Sequence, residues 1–408
     1  MTTLSGIRFF ALCVSTSMLG AVLMGCGPTN PKETESPTKT DTVVAKRPQI
    51  GGQDVVVLSR GRSGTGSKPE FLSATLLPGR GMNTFQFTAW VPGRGETNVL
   101  ASPTLEDAAT LLSGDAFGNH SFQIGGGAFL IPFANRVLGK AVNGGKDIQI
   151  EWQGKKVTLP ANWVANNAGV PMPGHDRQAM HGLIVAEKSD SVSTAKTADG
   201  ESFTGVMHAG NFGGHWFSEN DITVTTALTG PSIDVQVTVK NVGKSPEPMS
   251  VGWHPYFALP SGDRSQALLH LPGLNTVEVN NYDDVVPTGK LLSVKGTQLD
   301  FTAPVGVTLP NKLLDDSFVD LVKSPDGTVI TELRDPAAKY GIRVIAISPE
   351  FRAIQAYSPT DKKFVAIEPQ FNLGDPFGKE WKGKNTGMVT LKPGESVTWH
   401  VKLELFVP

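Results

Sequence analysis

Period-two alternation of apolar and polar residues is the main pattern along the chain. The alternation is strict in segments 233–239 and 397–405, and it is looser in 222–228 and 147–152. Such alternation is typical of strands that place one face on a core and the other in water or against another layer. The 45 glycines and 29 prolines divide the chain into many short elements and leave little room for long helices. The pattern predicts an all-β protein.

The length of the patterned region decides which kind of β fold is expected. The pattern runs through residues 49–408 without an internal repeat or a second break in composition. This length exceeds that of a small sandwich and favours one large antiparallel β-sandwich with extended sheets. We therefore expect a single domain at 49–408, and its length provides an ample core.

The first 25 residues have the composition of an export signal. Arg8 is followed by an almost uncharged run, Phe9 to Gly25, which is too short for a confident membrane span. The run leads into Leu-Met-Gly-Cys at 23–26, which resembles the bacterial lipobox, where the cysteine is lipidated and becomes the mature N-terminus. We expect a signal peptide at 1–25 and lipidation at Cys26. The alternative is an ordinary secretory signal with an incidental cysteine.

Residues 26–48 have the composition of a tether. Beyond Cys26 they are rich in Pro, Thr, Lys and Glu and contain almost nothing to bury, which favours a disordered spacer between the domain and a bilayer. Several acyl chains on one cysteine would give stable anchoring. Gly27, where an aspartate would signal retention in the inner membrane, indicates the outer membrane. The predicted protein is an exported, membrane-anchored lipoprotein with a periplasmic or surface face.

Charge and cysteine content exclude several classes of function. The 36 basic and 38 acidic residues give a net charge of −2, which does not suggest a nucleic-acid partner. The two cysteines are Cys13 and Cys26, so the domain has no thiol for a disulfide, a nucleophile or a metal site. The sequence also lacks a His-x-x-x-His pair, an acidic metal loop and a Gly-x-Ser-x-Gly element. We expect no metal and no nucleic acid.

Four polar landmarks stand at or beside the ends of strand-like stretches. They are Asn135-Arg136, His181-Gly182, the Trp-His-Pro-Tyr-Phe segment at 253–257 and the Ile-Glu-Pro-Gln segment at 367–370. A rigid sheet would present their side chains to a ligand. Two imidazoles, a guanidinium and a carboxylate together suit acid–base chemistry on an uncharged molecule with many hydroxyl groups. The combination indicates a sugar.

The landmarks belong to five segments that follow one another in a specific order. A glycine-led stretch at 125–137 ends in Asn-Arg, and 180–182 reads Met-His-Gly. Segments 242–259, 314–319 and 366–370 contain His-Pro-Tyr-Phe, Asp-Asp-Ser-Phe and Ile-Glu-Pro-Gln. Together they resemble the signatures of the aldose 1-epimerase (galactose mutarotase-like) family, over residues from about 55 to 408. Each segment alone is a weak signal, whereas five in order are specific.

The resemblance implies both a fold and a reaction. The fold is the galactose mutarotase-like supersandwich. The reaction interconverts the α and β anomers of free aldohexoses such as glucose or galactose, a monosaccharide substrate that needs no cofactor. Glu368 would be the base that takes the proton of the C1 hydroxyl. His254, whose imidazolium titrates near neutral pH, would be the acid that protonates the ring oxygen. His181 would hydrogen-bond on the ring-oxygen side.

The resemblance also implies a set of residues that bind the sugar. Arg136 and Asp315 would hold the hydroxyl groups, and Asn135 and Gln370 flank them in the matched segments. The apolar ring of Trp253 would stack on the pyranose. Asp316 is adjacent to Asp315, and a shift of one residue would exchange their roles.

Two other functions stay open on the sequence. A hexose-6-phosphate 1-epimerase would need further Arg or Lys side chains to hold a dianion, and Arg136 is the only obvious candidate. A non-catalytic carbohydrate-binding lipoprotein would keep the fold but would be expected to lose the His/Glu pair. The oligomeric state and the natural sugar are not determined by the sequence.

Overall fold

The alternating segments of the sequence are strands in the computed structural model, which describes residues 48–64, 66–113, 118–163 and 178–408. The described residues fall within one compact unit. The predicted signal peptide, Cys26 and the tether up to residue 47 lie outside the described residues.

Strands dominate the regular structure. In chain order they are β1 (Gln49–Ile50), β2 (Gln53–Asp54), β3 (Val56–Ser59), β4 (Glu70–Leu77), β5 (Asn83–Val91), β6 (Gly95–Asn98), β7 (Gly127–Leu130), β8 (Arg136–Val137), β9 (Lys140–Val142), β10 (Asp147–Trp152), β11 (Lys155–Pro160), β12 (Ala179–Met180), β13 (Ser191–Thr197), β14 (Gly200–Gly210), β15 (Asn220–Leu228), β16 (Ser232–Asn241), β17 (Glu247–Met249), β18 (Gly252–Ala258), β19 (Leu268–His270), β20 (Gly273–Val279), β21 (Pro287–Ser293), β22 (Val307–Thr308), β23 (Leu314–Leu321), β24 (Val329–Asp335), β25 (Tyr340–Ala346), β26 (Ala353–Ser358), β27 (Phe364–Gln370), β28 (Val389–Leu391) and β29 (Ser396–Phe406). The helical elements are α1 (Leu105–Leu111) and short 3₁₀ turns at Gly118–Ile124, Asn143–Gly145, Phe212–Gly214, Arg264–Gln266, Pro336–Ala338 and Lys379–Trp381.

Two large sheets form the body of the domain. One has nine strands in the order β13-β14-β15-β16-β29-β25-β24-β19-β22, and the other has seven in the order β21-β20-β23-β26-β27-β18-β7. A four-stranded sheet, β3-β4-β5-β6, and smaller sheets flank them. The strands pair antiparallel in both large sheets. The prediction of an all-β, antiparallel β-sandwich is confirmed.

A layer of aromatic side chains joins the sheets. Trp399 of β29 lies 5.9 Å from Trp253 of β18 and 6.2 Å from Phe129 of β7, measured between ring centroids. Phe87 of β5 lies 6.4 Å from Trp253 and connects the four-stranded sheet to the same core. Burying each such ring contributes about 2–3 kcal/mol. Because one face of β18 is committed to this core, its alternate residues point to the opposite face.

Gly127 is the position at which this packing leaves no room for a side chain. A Cβ atom there would lie 2.5 Å from Thr84 Oγ1 and 2.6 Å from Trp253 Nε1. The Trp253 Nε1 group donates to Thr84 Oγ1 at 2.9 Å and to the Gly127 carbonyl at 3.0 Å. The third glycine of the run at 125–127 is therefore required for strand β7 to approach the buried indole.

We expect Gly127→Ala to lower the free energy of unfolding by about 2 kcal/mol, because the added methyl group must displace a buried, hydrogen-bonded indole. Denaturant unfolding followed by tryptophan fluorescence measures the change. Gly61→Ala is the matched control, since a Cβ at Gly61 meets nothing within 4 Å. Equal stability of the two variants would contradict the packing described here.

Candidate active site

The floor of the candidate site is the outer face of four neighbouring strands of the seven-stranded sheet. The register pairs Gly252 with Gln370 and Tyr256 with Ala366, so it brings His254 of β18 beside Glu368 of β27. The Nε2 atom of His254 lies 3.3 Å from Oε1 of Glu368. On the next strand, β26, Gln355 is the register partner of Glu368. The sheet itself thus sets the spacing of the two groups.

Glu368 is held from its own strand. Gln370, two residues further along β27 and on the same face, donates from Nε2 to Oε2 of Glu368 at 3.1 Å. Gln370 is fully buried and does not line the cavity. The expectation that it contacts the sugar is therefore wrong; its amide positions the carboxyl group.

A two-stranded ribbon forms one wall of the site. Strands β8 and β12 pair Arg136 with Met180, and the His181 N–H donates to the Asn135 carbonyl at 2.8 Å. Asn135 and His181 both have left-handed backbones, with φ of 59° and 61°. Residues other than glycine adopt this region at a cost, and they keep it where the surroundings fix them.

The segment after Glu368 fixes this wall. Asn372 binds both backbone groups of Ala134, accepting from its N–H at 2.8 Å and donating to its carbonyl at 3.0 Å. The Asp375 N–H donates to the Arg136 carbonyl at 2.7 Å, and an Asp375 carboxyl oxygen accepts from the Leu138 N–H at 2.9 Å. These bonds clamp the Asn135-Arg136 corner on both sides. The turn at 371–376 therefore has a supporting role.

Aromatic rings surround the two imidazoles. The rings of His181 and His254 lie edge to face with centroids 5.0 Å apart. Phe122 packs on His181 at 4.4 Å, and Tyr256 stacks on His254 at 4.7 Å. In both histidines Nδ1 is buried and has no hydrogen-bond partner. A buried polar atom without a partner is costly, so each imidazole leaves one hydrogen-bonding position unsatisfied in this arrangement.

A polar network lines the side of the cavity opposite the histidines. Gln355 donates to Oδ1 of Asp315 at 2.7 Å and accepts from Asn135 Nδ2 at 3.4 Å. Arg136 donates from Nη1 to the Val285 carbonyl at 2.8 Å. Asp316 accepts from the Tyr282 hydroxyl at 2.9 Å and, unlike Asp315, does not line the cavity. Of the two neighbouring aspartates, the structure places Asp315 at the site.

Burial dominates the electrostatics of the His254–Glu368 pair. It lowers the pKa of His254 to about 3. It raises the pKa of Glu368 well above the usual range, and the nearby Asp315 adds to the rise. Both shifts oppose charge separation, so burial disfavours the carboxylate–imidazolium form of the pair. The expectation that His254 titrates near neutral pH is wrong in this site, because the imidazole is desolvated.

The remaining ionisable groups respond to the same burial. It lowers the pKa of His181 well below its usual value, so this ring is neutral at physiological pH. The pKa of Asp315 rises to about 6 through burial, which Arg136 opposes. The Arg136 guanidinium keeps its charge, since its ordinary pKa lies far above neutrality. At pH 7 Arg136 is therefore a cation, Asp315 is an anion and the His181 ring is neutral.

These groups line one cavity of about 820 Å³. Its lining includes six residues predicted from the sequence, namely Glu368, His254, His181, Arg136, Asn135 and Asp315. Trp253 is absent from the lining, because its side chain is fully buried on the core face of β18. The expectation that this ring stacks on a sugar is wrong. Neighbours in a strand face opposite sides, so Trp253 and His254 cannot share a pocket.

Several lining residues were missed by sequence reasoning. They are Phe122, Tyr256, Tyr282, Gln355 and Tyr357. Tyr256 could have been predicted from the sequence, because it lies two residues after His254 and therefore on the same face of β18. Gln355 and Tyr357 alternate with apolar residues in β26 but carry no motif.

Among the described residues, no group of three or more His, Cys, Asp or Glu side chains is placed to hold a metal ion. None of the helices in the described part of the chain has the length and apolar character needed to cross a bilayer.

Known proteins resemble this chain in both sequence and fold. Uncharacterized protein YphB of Escherichia coli strain K12 is 25% identical over 295 residues, which are 68% of this chain and 82% of that protein. A galactose mutarotase-like protein from Clostridium acetobutylicum superposes with a TM-score of 0.67 and 18% identity, covering 87% of this chain and 99% of that one. A putative aldose 1-epimerase from Escherichia coli K12 gives a TM-score of 0.61 at 18% identity, covering 87% of this chain and 100% of that chain. These structures establish the fold.

The sequence also matches a family model over more than half of its length. The model of the aldose 1-epimerase family matches residues 110–404, which include the floor strands, the ribbon wall and the clamping segment. The chain belongs to the aldose 1-epimerase family.

Proposed function

We propose that the protein is an aldose 1-epimerase, an isomerase that interconverts the α and β anomers of free aldohexoses such as glucose or galactose. One observation carries the proposal. His254 and Glu368 are buried 3.3 Å apart at the floor of a cavity whose other polar groups suit hydroxyls. In the proposed reaction the two groups in contact carry one proton between them, so they supply an acid and a base at the same time.

The proposed reaction moves two protons and breaks one bond. Glu368, as carboxylate, takes the proton of the C1 hydroxyl, while His254, as imidazolium, gives a proton to the ring oxygen. The bond between C1 and the ring oxygen breaks, and its electrons go to that oxygen. The open-chain aldehyde turns about C1–C2 and closes on its other face, which returns both protons. The 3.3 Å contact lets the shared proton pass from Glu368 to His254 when sugar hydroxyls solvate the carboxylate.

The remaining lining groups would bind the sugar. The His181 Nδ1 atom, which is buried without a partner, would exchange a hydrogen bond on the ring-oxygen side. The Arg136 guanidinium and the Asp315 carboxylate would bind neighbouring hydroxyls as donor and acceptor, with Asn135 beside them. Each positioned proton transfer contributes roughly 10²–10⁴ to the rate.

The charge of the cavity argues against a sugar phosphate. Its cationic lining residues are Arg136 and Lys362, and its acidic ones are Asp283, Asp315 and Glu368. Lys362 also lies 3.2 Å from the carboxylate of Asp361. The acidic residues of the lining outnumber the cationic ones, so the lining is a poor site for a phosphate dianion and favours an uncharged sugar.

Glu368→Gln should abolish activity, because an amide cannot take up the C1 hydroxyl proton. Polarimetry on freshly dissolved α-D-glucose and α-D-galactose measures the rate above the spontaneous one. We expect acceleration by the wild-type protein and a loss of about a hundredfold or more in the variant. Glu151→Gln, the same change at an exposed position of β10, is the matched control. A folded wild-type protein that accelerates neither sugar nor any other common aldose would refute the proposal.

The pH profile should show an acid limb that belongs to Asp315. We expect kcat/KM to fall as the pH drops through about 6, because protonation removes the anion that accepts hydroxyl hydrogen bonds. With its pKa at about 3, His254 contributes no limb there. Asp315→Asn should have a lower kcat/KM throughout and should lack this limb. A limb that persists in Asp315→Asn would assign the titration to another group of the site and contradict the assignment to Asp315.

We also propose export and lipid anchoring through Cys26, which rest on the sequence of residues 1–48. The unmodified full-length protein should fractionate with membranes and incorporate labelled palmitate when expressed in a bacterium. Cys26→Ala should lose the label, and Cys13→Ala, inside the predicted signal, should keep it. Equal labelling of the wild-type protein and Cys26→Ala would refute the anchor.

A further inference from the structure

Two carboxyl groups meet in the segment that clamps the ribbon wall. One belongs to Asp375, which binds the main chain of the Asn135-Arg136 corner. The other belongs to Glu380, in the short 3₁₀ turn Lys379–Trp381. A Cβ atom at Gly378 would collide with both carboxyl oxygens of Glu380 and with Oδ2 of Asp375. The two carboxyl groups therefore converge on the space that a side chain at residue 378 would fill, which explains the glycine there.

The two groups are withdrawn from water and have no cation as a partner. Asp375 is 4% exposed, and Oε1 of Glu380 is buried without a hydrogen-bond partner. None of the ion pairs among the described residues includes either carboxyl group. Each group is therefore the main charged neighbour of the other.

The cations on the surrounding elements are directed elsewhere or lie in solvent. Lys384 donates to the Gly289 carbonyl at 2.9 Å, and Lys290 of β21 lies 3.3 Å from a carboxyl oxygen of Glu278. The charged neighbours of the Arg136 guanidinium are Asp315, Glu368 and Asp284, and Lys379 and Lys382 are exposed.

One proton between the two carboxyl groups resolves this arrangement. Two carboxylates in contact repel each other, whereas a carboxylic acid and a carboxylate form a strong O–H···O⁻ hydrogen bond. Oδ1 of Asp375 already accepts from the Leu138 N–H at 2.9 Å, which leaves Oδ2 to carry the proton and donate to Glu380. Burial raises the pKa of Asp375 to about 7, and Glu380 adds to the rise, while the Leu138 N–H opposes it.

Asp375 connects this pair to the cavity. Its N–H donates to the Arg136 carbonyl at 2.7 Å, so its main chain fixes a residue whose side chain lines the cavity. Trp381, which follows Glu380, donates from its indole to the Gly374 and Asp375 carbonyls at 3.1 and 3.0 Å. A displacement of Glu380 would therefore move Asp375 and, with it, the Arg136 corner.

We propose that Asp375 and Glu380 share one proton, that this pair positions the Arg136 corner, and that loss of the proton at alkaline pH weakens sugar binding. Both are positioning residues, because neither lines the cavity. The effect on the sugar rests on the proposed function, whereas the shared proton does not. Because the pKa of Asp375 is raised, the pair is intact below about pH 7 and is lost as the pH rises through this value.

Carboxyl ¹³C NMR of the protein labelled at aspartate tests the shared proton, with the Asp375 signal assigned by its absence from Asp375→Asn. We expect the wild-type signal to titrate near pH 7. In Glu380→Gln, whose amide donates to the Asp375 carboxylate, the midpoint should fall below about 5. Glu395→Gln, the same change at an exposed position, is the matched control and should keep the wild-type midpoint. EDTA in every sample removes divalent cations that could bridge the carboxylates.

Sugar affinity tests the positioning role. Calorimetry gives Kd for glucose and galactose at about pH 6.5 and about pH 8.5, and polarimetry gives kcat and KM. We expect Kd and KM of the wild-type protein to rise about fivefold over this range, with little change in kcat. Glu380→Gln and Asp375→Asn each keep an N–H donor between the two groups at every pH, so each should hold its own Kd constant.

The outcomes separate this inference from the proposed function. A wild-type Asp375 midpoint below about 5 would overturn the shared proton, whether or not the protein is an epimerase. An unchanged wild-type Kd, or an equal rise in Glu380→Gln, would overturn the positioning role and leave the epimerase proposal standing. A rise confined to the wild-type protein and Glu395→Gln, without turnover of any sugar, would support the pair and refute the epimerase. Absence of binding to every sugar would refute the epimerase and the positioning role together.

Discussion

The surrounding strands have to supply hydrogen bonds and close packing for the buried contact between His254 and Glu368. A charge buried alone at this depth would cost several kcal/mol, and two opposite charges recover that cost only in good geometry with further hydrogen bonds. The site meets this condition with the amide of Gln370 on the carboxyl group and aromatic rings on both imidazoles.

The ribbon wall depends on the floor for its shape. Asn135 keeps its left-handed backbone because the segment that continues from β27 binds the main chain at Ala134 and Leu138, on both sides of the Asn135-Arg136 corner. The strand that carries the carboxyl group therefore also fixes the corner that carries the guanidinium. This linkage explains how residues more than two hundred positions apart reach a common geometry without a metal or a disulfide among the described residues.

Sequence reasoning predicted the parts of this architecture that depend on local patterns. Alternation identified β16 and β29, and ordered motifs identified six residues of the cavity. Sequence reasoning failed where a residue's role depends on which face of a strand it occupies or on how far its side chain is desolvated. Trp253 adjoins His254 in sequence but belongs to the core, and the low pKa of His254 arises from distant packing. Gln355 and Tyr357 reach the site only through the pairing of β26 with β27, which no local signal encodes.

The register of the floor strands limits which insertions and deletions members of the family can accept. Insertion of one residue within β27 would turn Glu368 towards the core and a hydrophobic neighbour towards the ligand, which would disrupt binding and folding together. Changes in length are therefore tolerable only beyond the strand ends, as in the turn that carries Lys362. Variation in that turn would alter the mouth of the cavity and spare its floor. Relatives that keep the sheet would keep the reaction, while changes in the turns between its strands would change the range of sugars that are accepted.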